Sequence, residues 1–126
     1  MVHALQRIHT ALVPGAVLVD TQPIGSRSPV RVEGELAGEL EEDEWLQTVA
    51  AVDSRVEEAI ETRLFELRHE ERYAVLHGFD SGSEALEETR TWAGTLIPKD
   101  VVDRLETTHR SVEIELEVRL RLFARC

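Results

Sequence analysis

The sequence predicts an α/β chain, with helices packed on a small mixed sheet in a single domain over residues 1–126. Three patterns carry that expectation. An amphipathic stretch from Ala4 to Leu12 stops at Pro14-Gly15, and the apolar run Ala16 to Val19 follows at once. Apolar residues then recur from Trp45 to Leu67 at close to the helical period. Finally, Val112 to Leu122 alternates apolar with charged residues without a break, the period of a strand with one buried and one wet face. A chain of 126 residues can bury one modest core.

Each element has a local reason. Leu5, Ile8 and Leu12 fall on one helical face. Pro14 cannot continue a helix and Gly15 tolerates a positive φ, so the chain turns there. Ala16 to Val19 has the continuous apolar character of a strand buried on both faces. Two prolines, a glycine and two serines between Thr21 and Pro29 mark a loop. Val30 to Val32 and Leu36 to Leu40 form a short hairpin around Glu33-Gly34-Glu35 or Ala37-Gly38. Trp45, Val49, Val52, Val56, Ile60, Leu64 and Leu67 have a mean spacing of about 3.7 residues, which predicts one helix over 43–70. Glu42 or Asp43 suits the positive end of its dipole. Tyr73 to Phe79 reads as a strand. Ser83 is the expected N-cap of a following short helix. Pro98 belongs in the first turn of another, Lys99 to Leu105. From Val112 onward Leu116 and Val118 face the core and Glu117 faces water.

The run Ala4-Leu5-Gln6-Arg7-Ile8-His9-Thr10-Ala11-Leu12-Val13-Pro14-Gly15 resembles the helix that leads into the fifth strand of class I S-adenosylmethionine-dependent methyltransferases. Ala16 stands where that family has the second glycine of its Pro-Gly-Gly. The resemblance implies the C-terminal half of a doubly wound fold, ending in an antiparallel strand inserted into the sheet. It also implies that the cofactor-binding half is missing. The seven glycines are Gly15, Gly25, Gly34, Gly38, Gly78, Gly82 and Gly94. None forms the glycine-rich strand-to-helix turn that cradles such a cofactor, so no cofactor is expected on the isolated chain.

With 25 acidic and 14 basic side chains the formal charge is −11. Such a chain is repelled by nucleic acid and by anionic membrane. No apolar run approaches the ~20 residues needed to span a bilayer. One cysteine, Cys126, permits no internal disulfide, and no signal peptide is apparent. The expected setting is cytoplasmic.

Few residues point to chemistry. His3, His9, His69, His77 and His109 form no metal-ligand spacing with one another or with Cys126. No catalytic, cofactor or metal residue is assigned. Two groups remain as candidates. Asp20 and Gln22 lie where the first strand is expected to stop, the end at which ligands gather in open α/β sheets. In the family resembled, that end faces the methyl acceptor, so both are substrate-side candidates. Trp45, Tyr73 and Trp92 are candidates for an apolar pocket or an interface.

The functional expectation is a methyltransferase-like module, non-catalytic alone, that works through self-association as a homodimer or through a partner chain. One alternative is the substrate-side half of a small-molecule methyltransferase, completed by another segment or chain. The other is a small apolar-ligand binding protein.

Overall fold

The computed structural model describes residues 2–126, with side chains from Ala4 onward; the side chain of His3 lies outside the described residues. The elements run α1 (Val2–Ala11), β1 (Val17–Pro23), β2 (Pro29–Val32), β3 (Glu35–Glu39), α2 (Asp43–Glu61), β4 (Phe65–Phe79), α3 (Gly82–Thr89), α4 (Lys99–Glu106) and β5 (Val112–Arg125).

β5 is the axis of the sheet. β4 pairs with one side of it, from Phe79↔Val112 to Phe65↔Arg125. Along the other side lie β1, from Pro23↔Val118 to Val17↔Ala124, and β2, from Val32↔Val112 to Val30↔Ile114. β1 and β2 are in effect one broken strand, interrupted at residues 24–28. β3 folds back on β2 at Glu33-Gly34. Every pair is antiparallel, which corrects the expected mixed sheet. The reason is topological: β1 and β4 run the same way, but β5 is inserted between them.

The helices cover the sheet diagonally. Side chains on a strand alternate between faces, so Val112, Ile114 and Leu116 share one face, and Arg119, Arg121 and Phe123 share the other. At the Val112 end, α3 and α4 pack on the first face, burying Leu86, Val101 and Leu105 against Val30, Val112 and Ile114. At the opposite end, α1 and α2 pack on the second face, where Leu5, Ala59, Phe65 and Phe123 form a separate cluster.

Several expectations change as a result. α1 and its Leu5-Ile8-Leu12 face form as expected, and Gly15 takes φ +83 at the turn. β1 is not buried on both faces: Val17 and Val19 are 57% and 58% exposed, because no described element covers their side. The expected helix over 43–70 ends at Glu61, and Phe65 already belongs to β4. Pairing with the whole length of β5 outweighs the helical spacing of Leu64 and Leu67. The N-cap of α3 is Ser81 rather than Ser83, its hydroxyl oxygen accepting from the Glu84 N–H at 3.3 Å. Along β5, Leu116 is buried and Glu117 exposed. Val118 is half-buried and packs against the same core as Leu116. Beyond it the pattern reverses: Leu120 and Leu122 are half-buried, while Arg119 and Arg121 are buried. α2 lies over the arginine side.

Candidate functional site

Asp20 and Gln22 sit inside β1, which continues to Pro23, rather than at its end. Their side chains turn toward α2 because they share the face of Arg121 and Arg119, their partners in register. The Asp20 Oδ2 accepts from Arg121 Nε and Nη2 at 3.1 and 2.8 Å. Asp53, one turn below Val49 on α2, accepts from Arg119 Nη1 and Nη2 at 3.0 and 2.8 Å and from Arg121 Nη2 at 3.0 Å. Gln22 Nε2 donates to Asp20 Oδ1 at 3.2 Å. Burial opposes ionisation of Asp53, but the Arg119 hydrogen bond and the charges of Arg119 and Arg121 outweigh it and hold the carboxyl below its ordinary value. The Asp53 hydrogen bond raises the Arg119 guanidinium, against the opposing effect of burial. This four-charge network ties α2 to β1 and β5. Beside it is a cavity of about 210 Å³, lined by Leu18, Asp20, Gln22, Val52, Val56 and Phe123 among others.

A second cavity, about 370 Å³, lies on the opposite face of the sheet. Its walls include Trp45, Trp92, His77, Glu42, Pro23 and Leu116. The two tryptophans are 47 positions apart in sequence (92 − 45), and local structure brings them together. Glu41 and Leu96 exchange backbone hydrogen bonds of 2.9 and 2.7 Å, and Gly94 O accepts from the Trp45 N–H at 3.2 Å. Gly94 has φ +66, and a Cβ there would fall 2.5 Å from the Trp45 nitrogen, so this close approach needs glycine. The Trp45 indole N–H donates to the Pro23 carbonyl at 2.8 Å. The His77 ring meets Trp92 edge-on, with centroids 5.4 Å apart.

Glu42 was foreseen only as a charge near the start of α2. It is 3% exposed, and its Oε1 accepts from the Ser28 N–H at 2.9 Å. Arg27 pairs with the residues on either side of it, Glu41 at 3.4 Å and Asp43 at 3.7 Å. Among the described residues no ion pair reaches Glu42 itself. The sequence holds four acidic residues in a row here, Glu41 to Glu44, with nothing to single out the buried one.

Tyr73 does not line this cavity. It stands opposite Val118 and is 41% exposed, on the same open face as Val17, Val19, Leu120 and Leu122. The outer edge of β1 is paired with no described strand. Elsewhere His69 lies 3.5 Å from Glu71 on the surface, and Cys126 is an exposed thiol. Among the described residues no three metal-ligating side chains converge, and no helix is long and apolar enough to cross a membrane. No family model, curated protein or solved structure matches the chain.

Proposed function

We propose that this chain is a methyltransferase-like module that does not transfer methyl groups by itself and acts by pairing with a second copy of itself. The observation behind this reading is the uncovered sheet quadrant of Val17, Val19, Tyr73, Leu120 and Leu122 beside the unpaired edge of β1. In the fold that the sequence resembles, the corresponding strand is interior and flanked by a further strand. Here the same strand offers unpaired backbone groups and apolar side chains together, a combination that readily recruits another chain. The order β1-β5-β4, with the last strand antiparallel between the other two, supports the resemblance on which the reading rests.

A self-complementary patch is most simply closed by a two-fold axis, and a stable interface buries more than ~1,000 Å² in total. Each copy carries a formal charge of −11, so added salt screens the repulsion and strengthens pairing. Sedimentation equilibrium tests this: the expected mass is twice 14.3 kDa, whereas a single-chain mass at every concentration would refute it.

A second reading is that another chain or segment supplies a cofactor-binding half at the same edge. The strand order favours it equally. Both readings predict that this chain alone does not bind S-adenosylmethionine. Calorimetric binding in the micromolar range, about −8 kcal/mol, would contradict both.

A further inference from the structure

We propose that the cavity between Trp45 and Trp92 binds a small organic cation of the quaternary-ammonium kind. The site requires an explanation because Glu42 is 3% exposed and has no cationic partner among the described residues. A buried carboxylate without a counter-charge is costly. The positive end of α2 and the Ser28 N–H are the groups that face it within the chain. A cation in the cavity completes the pairing.

The remaining walls select the kind of cation. Indole faces attract positive charge, most strongly where water is excluded, and both tryptophans of the chain line this space. No lysine or arginine is among the lining residues. The Pro23 carbonyl accepts from the Trp45 N–H and the Ala93 carbonyl from the Thr95 hydroxyl, so beyond Glu42 the walls are mostly apolar surface. Methyl groups on nitrogen need no acceptors and pack against Pro23 and Leu116. The volume, about 370 Å³, lies at the small end of ligand pockets. A charge of −11 raises the local concentration of cations.

Tryptophan fluorescence reads the site directly, since the signal has no other tryptophan source. The probes are choline and dimethylbutanol, its uncharged carbon isostere. The expected result is saturable quenching by choline, with the isostere binding at least about tenfold more weakly. Glu42→Gln keeps an acceptor for the Ser28 N–H, so it should retain the wild-type circular dichroism and lose about tenfold in choline affinity. No saturable response to choline, or equal affinity for the isostere, overturns the proposal. Both comparisons use the wild-type chain and stand even if the variant fails to fold. A folded Glu42→Gln chain with undiminished affinity also overturns it. Vesicles of phosphatidylcholine present the same headgroup and should leave the fluorescence unchanged. A response to vesicles without one to choline would assign the headgroup to lipid and overturn a free small ligand.

Discussion

The two ends of β5 use opposite solutions to the same alternating sequence. From Val112 to Leu116 the apolar side chains face α3 and α4, and the glutamates between them face water. From Arg119 to Phe123 the helices lie on the other side. There the buried charges are Arg119 and Arg121, neutralised by Asp53 and Asp20, and the apolar residues Leu120 and Leu122 look toward an uncovered quadrant. The first end is finished as it stands. The second end has a charge-paired side, in which Arg119 Nε and Gln22 Oε1 are without a partner among the described residues, and an uncovered apolar side, where the proposed pairing takes place.

Mutations at the two ends should separate these solutions. The largest effect is expected at the finished end, where Leu116→Ala removes a buried side chain and costs about 2–5 kcal/mol. Asp53→Ala, at the other end, leaves Arg119 without its partner and should cost about 3 kcal/mol. Glu117→Ala, whose nearest basic partner is Arg72 at 4.0 Å, should change stability by no more than about 0.5 kcal/mol. Denaturant melts of the three variants check the order. If Asp53→Ala proved as mild as Glu117→Ala, the ion network would not hold α2 in place.

Acid provides a finer test of the same end. The Asp53 carboxyl lies below its ordinary value when folded, so its contribution is fully present above the unfolded-state value near ~3.9. It is lost as pH falls from there through the folded value. Wild-type stability should therefore decline more steeply below about pH 4 than that of Asp53→Asn, in thermal melts across that range. Parallel curves would remove Asp53 from the acid response.

Much of the fold was legible where a local signal sufficed. The stop at Pro14-Gly15, the hairpin at Glu33-Gly34 and the helix after Pro98 all depend on residues close in sequence. The end of α2 was not legible. Phe65 to Arg72 has six charged or histidine side chains, five of them consecutive from Arg68 to Arg72, and becomes a strand only by pairing with β5. The alternation in β5 identified its two faces but not which one the helices cover, and that choice differs between its ends. The sequence groups Trp45, Tyr73 and Trp92 as candidates for one pocket or interface, and only the two tryptophans line the cavity. Their meeting depends on the Glu41–Leu96 bridge and on Gly94, and Glu42 was hidden among its acidic neighbours.

The central claim is that the open quadrant is an interface, and the most direct measurement is the solution mass of a chain carrying both Val17→Glu and Val19→Glu, set against the wild type. Both positions are more than half exposed, so the single chain should keep its fold and change in stability by no more than about 0.5 kcal/mol per site. The account predicts a wild-type mass of twice 14.3 kDa and a variant that sediments as one folded chain. A wild type that is monomeric throughout, or a folded variant that stays dimeric, would contradict it.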